Sequence, residues 1–595
     1  MDFVEDFTIP EWDQWQSSVI KVLTERGFHK LTKTLEEGVT VSPLYQTGIG
    51  VSDSRPLGTN GTWQITQTYS CPDLSLLKKT IDQDLMGGVQ YLSFIVGQDH
   101  AVPLNTPEAM NRLFSGVYLE AVTLSFSLQD GFEDFATMLE SYLLEKGYCL
   151  KDLDIRLSWT PFSQTASTES LKVLAGLIQE KPDISKWLTL SGASVYDAGG
   201  TGAKELGFLL ASLLETLKHM CDLGLKPETC LDKSMIQINL GTDQFYEIAK
   251  IRAAHMLLKK LFSELELDDS QFDLPILAKS SLRHYSRTDH WVNILRMTIM
   301  GAAAGLSGVD AIEVAPYDCL FGQPSDSGYR IARNIHHILL EESHLHRVQD
   351  PAGGSPYIEK LTLDIAAKAW HYFQEIQKVG GATQALTSNW ISDDLASERQ
   401  TLLKNLRTRR RPLTGTSEFP NPSAKWPREG MNQDGPGTLT HSTLLPLFRE
   451  SAIFEDLWLR GNEVSDASLF MLVLGSLSDH SPRSIFSSNI LGIAGMEAVL
   501  GKGGLNEESL IADYRESSSA IVIIAGKDEH YDLLAASLAS KLKSLGAWVI
   551  LAQNPKDRRA EYESSGIDDF VFLGCDVVTV LENLLKRIEE SRELR

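Results

Sequence analysis

An aspartate and a histidine, two residues apart, stand at a predicted strand-to-helix turn near the end of the chain. They are Asp528 and His530, within the stretch IVIIAGKDEHYDLLA at 521–535. Such a turn can present an imidazole to a metal ion, with a carboxylate close enough to orient it. Aspartate is also common at this position as a helix N-cap, which would leave His530 exposed on the surface. The residues alone leave both interpretations open.

Composition limits the classes of function that this chain can have. Its 595 residues suffice for two or more domains, and 43% hydrophobic and 23% charged residues are typical of a soluble globular protein. The net charge of −24 argues against nucleic acid as a partner, because phosphate binding needs clustered Lys and Arg. No stretch predicts a membrane span or a signal peptide. The six cysteines form no C-x-x-C pair, which predicts a cytoplasmic protein with buried thiols and no metal site.

Eight short strand-like runs, separated by helical patterns, predict the main architecture. Alternation of strand and helix is typical of a parallel sheet, and eight such units are the number that closes a (β/α)8 TIM barrel. The runs lie at 89–97, 121–128, 154–161, 187–195, 234–241, 272–281, 310–318 and 346–354.

Small polar side chains occupy one face of several of these runs. Side chains alternate along a strand, and helices cover the outside of such a barrel, so this polar face should point inward. It carries Thr123, Ser125, Ser127, Arg156, Ser158, Thr160, Thr189, Ser191, Gln237 and Asn239. A polar interior is unfavourable unless it is hydrated or holds a polar chain. We therefore expect an axis built around a threaded polar ligand; the alternative is a filled core in which Ser and Thr bond backbone carbonyls.

The segments around the barrel predict further parts. Residues 1–87 are expected to form an N-terminal arm that makes subunit contacts, and residues 88–400 the barrel. A linker rich in Pro and Gly is expected within 401–440. Residues 441–595 predict a helical lead-in and a shortened, flavodoxin-like α/β domain, with strands at 520–525, 547–552 and 569–573.

Several stretches resemble the adenosylcobalamin-dependent methylmalonyl-CoA mutase family. The strongest match is PYDCLFGQPSDSGYRIARNIHHILLEESHLHRVQDPAGGSPYIEKLT at 316–362, and DHWVNILRMT at 289–298 keeps the order D-x-x-x-N-x-x-R-x-T. Two shorter matches are PEWDQW…LEEGVTVSPLY at 10–45 and PLTGTSEFP at 412–420. The resemblance implies a (β/α)8 barrel that encloses coenzyme A along its axis, joined to a flavodoxin-like cobalamin domain.

The residues that act on the substrate in that family are replaced in this chain. Where the family reads S-G-Y-H-M-Q-E-A-G, residues 191–199 read SGASVYDAG, so Ser194 stands in place of the histidine that hydrogen-bonds the thioester carbonyl. A serine hydroxyl neither reaches as far nor titrates near pH 7. Thr66 replaces an arginine, and Asp310 and Glu313 replace Gln and His. The resemblance therefore implies that this chain has no catalytic residue.

The cobalamin motif of the family is also degenerate here. That motif reads D-x-H-x-x-G, with the histidine as the lower cobalt ligand and a glycine that lets the corrin approach the backbone. The matching run is Asp528-Glu-His530-Tyr-Asp-Leu533, in which Leu533 replaces the glycine and would occupy corrin space. After residue 553 the chain shows no S-x-L loop and no glycine pair for the nucleotide tail. We therefore expect no cofactor and no metal on this chain.

These departures make the chain resemble the small, noncatalytic subunit of the heterodimeric enzymes of this family. That implies a catalytic large subunit as partner, which would hold adenosylcobalamin and interconvert (R)-methylmalonyl-CoA and succinyl-CoA. Two alternatives stay open: an acyl-CoA mutase of altered specificity, and a nonenzymatic barrel that binds residual acyl-CoA. Residues expected to serve structure through buried ion pairs are Arg330, Arg333, Asn334, Asp350 and the Gly353–Gly354 turn.

Overall fold

A short arm precedes the main sheet. The computed structural model describes residues 11–35, 38–45, 61–97, 101–128, 131–162, 168–424, 426, 445–464 and 469–593. In the arm, α1 (Trp12–His29) begins with a capping box between Glu11 and Gln14 and is followed by an antiparallel pair, β1 (Lys33–Thr34) and β2 (Thr40–Val41). The predicted arm residues 1–10, 36–37 and 46–60 lie outside the described residues.

Eight parallel strands form a closed barrel, which confirms the predicted (β/α)8 fold. Closure is made by the last strand, which pairs with both the first and the seventh. The strands are β3 (Gln64–Tyr69), β4 (Tyr91–Val96), β5 (Thr123–Leu128), β6 (Asp154–Trp159), β7 (Lys186–Ser191), β8 (Ser234–Leu240), β9 (Ile276–Ser280) and β10 (Ala311–Glu313).

Helices surround the barrel and bury the apolar face of its strands. Phe94 and Phe126, on neighbouring strands, stack with their ring centroids 5.5 Å apart and are fully buried. The helices are α2 (Leu74–Met86), α3 (Pro107–Phe114), α4 (Phe132–Glu145), α5 (Thr168–Glu180), α6 (Ala193–Asp197), α7 (Gly202–Asp222), α8 (Pro227–Asp232), α9 (Gln244–Glu264), α10 (Asn293–Ser307), α11 (Asp326–His337), α12 (Pro356–Val379), α13 (Ala382–Thr387) and α14 (Trp390–Arg407).

The barrel is shifted along the chain by one strand from the prediction. Its first strand, β3, lies inside the predicted arm, so the predicted start at residue 88 is wrong. The predicted eighth strand at 346–354 is also wrong: the chain there forms a short 3-10 helix and turns. Asp350 has φ +45°, a backbone conformation that a strand does not allow, and its carboxylate pairs with buried Arg252.

A second parallel sheet follows the barrel. Its order is β12-β11-β13-β14-β15, in which the first strand lies between the second and the third, as in flavodoxin-like sheets. The strands are β11 (Leu469–Val473), β12 (Ala498–Leu500), β13 (Ile521–Ala525), β14 (Trp548–Leu551) and β15 (Asp569–Phe570). The helices are α15 (Ala452–Glu463), α16 (Leu477–Ile493), α17 (Glu507–Ser517), α18 (Asp528–Ser544), α19 (Arg559–Ser564) and α20 (Val577–Glu593).

This sheet is not shortened, and that part of the prediction is wrong. The prediction missed β11 and β12, so it took the third strand, β13, for the first. β11 is a continuous apolar run, LFMLV, whose signal was available in the sequence. β12 has only three residues, and Pro482 interrupts the helical pattern of α16 between the two strands.

Trp426, in the segment between the two sheets, packs against α15. α14 ends at Arg407, so the linker predicted to start at residue 401 begins later. Trp426 stacks on Trp458 of α15, with ring centroids 5.1 Å apart, and meets Phe321 edge-on at 5.9 Å. Residues 425 and 427–444 lie outside the described residues. In the described part of the chain, no helix combines the length and apolarity that a bilayer crossing needs.

Candidate functional site

The inside of the barrel carries the polar side chains that the strands predict. Thr123 of β5 accepts a hydrogen bond from Gln64 of β3 at 3.0 Å and donates one to Asp154 of β6 at 2.8 Å. Because β4 separates β3 from β5, the contact with Gln64 crosses the interior. Nearer the carboxyl end, Glu313 pairs with Lys279 at 2.8 Å. The interior is therefore polar, but its groups bond one another.

The amino end of the barrel axis is closed. Tyr91 reaches across from β4 to Met235 of β8, with its hydroxyl 3.8 Å from the Met235 sulfur, and both pack with Leu277 and Ala311 in a buried cluster. The Arg156 guanidinium covers the Tyr91 ring at 4.9 Å. A ligand threaded along the whole axis would have to displace these side chains. The expectation of an axis built around a threaded polar ligand is therefore wrong at the amino end, where this mainly apolar cluster closes the barrel.

Ser194 lies in the short helix α6, directly after β7, at the carboxyl end of the barrel where (β/α)8 enzymes place their chemistry. A buried ion cluster lies beneath this loop. The Lys250 ammonium is 2.7 Å from Glu247 and 3.1 Å from Glu205, and donates to the Asn239 carbonyl at 2.5 Å. The three charged side chains lie on α7 and α9 and are almost fully buried.

Burial and charge set the protonation of this cluster. Burial raises the pKa of Glu205 to about 7, despite the opposing effect of Lys250. Burial lowers the pKa of Lys250, but the charges of Glu205 and Glu247 outweigh it and raise that pKa above its usual value. Lys250 therefore stays charged at neutral pH, whereas Glu205 titrates there. The ammonium also lies 4.5 Å from the centre of the Tyr196 ring, which ties the cluster to the α6 loop.

A second buried hub joins the barrel to the segment that follows the linker. The Glu450 carboxylate accepts hydrogen bonds from Arg283 at 2.9 Å and from two nitrogens of Arg411 at 2.9 and 3.0 Å. His284 lies 3.5 Å from the same carboxylate and 3.0 Å from the Tyr196 hydroxyl. Burial acts to raise the pKa of Glu450, but His284, Arg411 and Arg283 hold it well below its ordinary range. Glu450 is therefore a permanently charged, fully paired carboxylate.

Two backbone hydrogen bonds join the chain around residue 450 to the loops at the carboxyl end of the barrel. The Phe448 amide donates to the Asp197 carbonyl at 2.7 Å, and the Glu450 amide donates to the Arg283 carbonyl at 3.0 Å. The chain around residue 450 thus lies directly over the loops that follow β7 and β9. Beside it, a cavity of about 610 Å³ remains, lined by residues that include Tyr196, Thr201, Asp243, Asn405 and Arg410. Glu247, Arg283 and His284 also line this cavity, so it adjoins both groups of ion pairs.

Asp528 and His530 do not form the arrangement of a metal-ligand loop. Lys527 is the N-cap of α18 and Asp528 its first residue, so the predicted role of Asp528 as the N-cap is wrong. The Asp528 carboxylate accepts hydrogen bonds from Arg483 and, at 3.0 Å, from Gln553. The hydrogen bond from Arg483 is the main cause of its lowered pKa. Asp528 is therefore held away from His530 and does not orient the imidazole.

His530 is buried, with only 6% of its surface exposed, so the predicted exposed histidine is also wrong. Its ring packs on Gly475, in the loop after β11: a Cβ atom at Gly475 would lie 2.4 Å from His530 Cε1. β11 and β13 are the neighbouring strands at which the order of this sheet reverses, and ligands of such sheets bind in the crevice outside that point. The imidazole occupies this crevice.

Replacing Gly475 tests this packing. Gly475→Ala should cost about 1–2 kcal/mol for the left-handed backbone and about 1–3 kcal/mol more for the collision with His530. Gly546→Ala is the matched control, because Gly546 has the same φ of +84° and open space around its Cβ position. Urea unfolding measures both variants. In a His530→Ala background, Gly475→Ala should cost less than it does in the wild type but still more than Gly546→Ala, because Asp479 Oδ2 also lies 2.7 Å from the Cβ position of Gly475. Equal losses for Gly475→Ala and Gly546→Ala in the wild-type background would contradict the packing.

The other residues singled out in the sequence divide into two groups. Arg333 pairs with buried Asp84 at 2.5 Å, and Asp350 joins Arg252, which also pairs with Glu359 at 2.6 Å. These are the expected structural ion pairs. Arg330 and Asn334, in contrast, are exposed, and their expected burial is wrong.

The replaced substrate positions have structural contacts too. Thr66 is buried inside the barrel. Asp310 lies just before β10, at the amino end, where its carboxylate accepts the Ile276 amide at 2.7 Å. Burial raises the pKa of Asp310 to about 6. Sequence reasoning missed Glu205, Lys250 and Glu450. Only the spacing of Glu247 and Lys250 on one helix gave a local signal.

Comparison with known proteins identifies the family. The methylmalonyl-CoA mutase family model matches residues 95–436. A methylmalonyl-CoA mutase small subunit from Streptomyces virginiae is 31% identical over 99% of this chain and 98% of its own, and one from Propionibacterium freudenreichii subsp. shermanii is 28% identical over 98% and 95%. A methylmalonyl-CoA mutase large subunit from Streptomyces virginiae is 25% identical over 68% of this chain and 62% of its own. The chain belongs to the methylmalonyl-CoA mutase family, as its motifs predicted.

The family is generally cobalamin-dependent, and the run from Asp528 to Leu533 does not fit that group. His530 packs on Gly475, and Asp528 is paired with Arg483. Leu533 has 74% of its surface exposed on α18, and the run follows the third strand of the sheet, β13, rather than its first. Among the residues that the structure describes, no three His, Cys, Asp or Glu side chains form a group that could hold a metal ion.

Proposed function

We propose that this chain is the noncatalytic small subunit of an adenosylcobalamin-dependent methylmalonyl-CoA mutase. The observation that carries the proposal is its end-to-end similarity to small subunits, which extends over 99% of this chain and 98% of one relative. Its partner is a catalytic large subunit of the same family. That subunit interconverts (R)-methylmalonyl-CoA and succinyl-CoA, and the small subunit supports its fold.

The ion pairs at the carboxyl end of the barrel support a noncatalytic role. Lys250 with its two glutamates, and Glu450 with Arg283 and Arg411, form buried ion pairs at this end of the barrel, so these groups contact one another rather than a substrate. Closure of the axis by Tyr91 also disfavours a barrel that holds an acyl-CoA along its length. Both features indicate that these side chains stabilise the fold rather than bind a ligand.

We assign adenosylcobalamin to the large subunit, where it supplies the radical chemistry when bound. In this chain the imidazole and carboxylate of the degenerate motif have intramolecular roles, which supports this assignment. A cytoplasmic location is part of the proposal. It is supported by six free cysteines, four of which are buried.

Reconstitution tests the proposed function. The purified chain, given adenosylcobalamin and methylmalonyl-CoA, should give no turnover and leave the visible spectrum of the cofactor unchanged. Addition of the large subunit from the same organism should give turnover, because the reacting residues lie on that subunit. Ser194→Ala in the mixture should react at the wild-type rate. Turnover by this chain alone, or a histidine-ligated cobalamin spectrum, would contradict the proposal.

A further inference from the structure

One outer helix of the barrel exposes a row of apolar side chains. Trp291, just before α10, and Leu295 and Ile299 within it are four residues apart, so they lie on one side of the helix. Their exposed fractions are 56%, 65% and 37%. The only charged residue of α10, Arg296, is turned toward Asn293 and the Thr414 carbonyl, at 2.9 and 2.6 Å. The outward face is therefore free of charge.

Neighbouring elements extend this face. Val348 follows the short 3-10 helix that packs on α10 and has 63% of its surface exposed, and Ile338, directly after α11, is also exposed. Single exposed apolar residues, such as Leu144 on α4, are ordinary on protein surfaces. A row of three on one helix, with two more on the elements next to it, is not ordinary and marks an interaction site. We call Trp291, Leu295, Ile299, Ile338 and Val348 the α10 surface.

We propose that the α10 surface docks the large subunit. This inference rests on the proposed function. Small- and large-subunit relatives are homologous, and the family model covers α10, so the partner carries a corresponding barrel helix. Homologous chains pair through corresponding faces around a pseudo-two-fold axis. Interface cores are depleted in charge and anchored by aromatic residues, which Trp291 and the uncharged stripe provide.

Charge favours the large subunit over a second copy of this chain. Two copies, each with a net charge of −24, would repel one another when they approach. A stripe without charged side chains offers no salt bridge to offset that repulsion. A second copy of this chain is therefore disfavoured as the occupant of the α10 surface.

The test is equilibrium binding of the full chain to the large subunit. Leu295→Glu with Ile299→Glu should weaken binding at least about a hundredfold, because two charges would be buried in the interface. Trp291→Ala should weaken it about thirtyfold, the effect of losing a hot-spot side chain. Leu144→Glu, on the exposed face of α4, is the matched control and should leave the affinity unchanged.

Each contrary outcome has its own meaning. If the wild-type chain does not bind the large subunit, the proposed function fails. If the wild type binds and the double variant binds equally well, the α10 proposal is overturned and the proposed function stands. A wild-type homodimer that the double variant dissociates would overturn it in favour of a second copy. A large fall in the melting temperature of the isolated double variant would overturn it as well, because the stripe would then pack within its own chain.

Discussion

Glu450→Gln lowers the free energy of unfolding by about 3–5 kcal/mol, the loss expected when one partner of a buried ion pair is removed. Glu450 and Arg283 each have 1% of their side chain exposed, and Arg411 binds the same carboxylate. The neutral amide keeps the shape but removes the negative charge that acts most strongly on the guanidinium of Arg283. Urea unfolding of the barrel measures the loss. Because Glu450 also lies between the barrel and α15, the variant should loosen that junction.

An exposed ion pair provides the control. Lys79 and Asp326 lie 2.9 Å apart with more than half of each side chain exposed, so Asp326→Asn should leave unfolding unchanged within error. A similar loss in both variants would mean that net charge, rather than the buried hub, sets the effect.

The pH dependence of Glu450→Gln follows from the lowered pKa of Glu450. A depressed carboxyl pKa gives stability that is fully present above the unfolded value of about 4.3 and is lost as the pH falls toward the folded pKa. The difference in unfolding free energy between wild type and variant should therefore shrink below about pH 4. A difference that stays constant down to pH 3 would contradict the assignment.

Local pattern predicted most of the barrel but not its ends. The runs that became β4 to β10 are continuous apolar or alternating segments, so their local pattern was enough to predict strands, and only the first strand was missed. β3 was hidden because its six residues QITQTY look like part of a polar arm. The false strand at 346–354 fails because Asp350 turns back to bind Arg252, 98 residues earlier in the chain. A contact at that separation leaves no periodic signal.

The candidate site was less predictable than the fold. The motif substitutions at Ser194 and Leu533 could be found by resemblance alone. The contacts of Glu450 and His530 could not be predicted. Glu450 binds Arg283, which lies 167 residues earlier in the chain, and His530 contacts Gly475 only because β11 and β13 are neighbours in the sheet. The error over His530 came from treating its loop as the first of the sheet. A histidine in the third loop lies beside the first strand, where there is little room.

Two places in the molecule share one feature, which is that polar side chains there are held by contacts within the chain. The carboxyl end of the barrel and the reversal point of the second sheet are the places where these folds bind ligands. In this chain, buried ion pairs lie beside the first, and an imidazole packs on a glycine at the second. Polar side chains at both places are therefore held by contacts within the chain.

Lys250→Met should also lower the free energy of unfolding by about 3–5 kcal/mol. The methionine fills the space of the lysine stem but leaves Glu205 and Glu247 facing each other without a cation, at full burial. Lys260→Met, on the same helix α9, is the control. Lys260 pairs with Glu264 at the surface, so its loss should leave unfolding nearly unchanged.

The pH dependence and a second substitution separate charge from packing. Glu205 has a folded pKa raised to about 7, so its contribution to stability is fully present below the unfolded value of about 4.3 and is lost as the pH rises through 7. The loss in Lys250→Met should therefore be larger at pH 8 than at pH 5.5. Adding Glu247→Gln should recover part of it, because only one ionisable carboxyl then remains. A loss of stability that is equal at both pH values and is not reduced by Glu247→Gln would mean that Lys250 contributes packing alone. The charges of the ion cluster would then not contribute to stability.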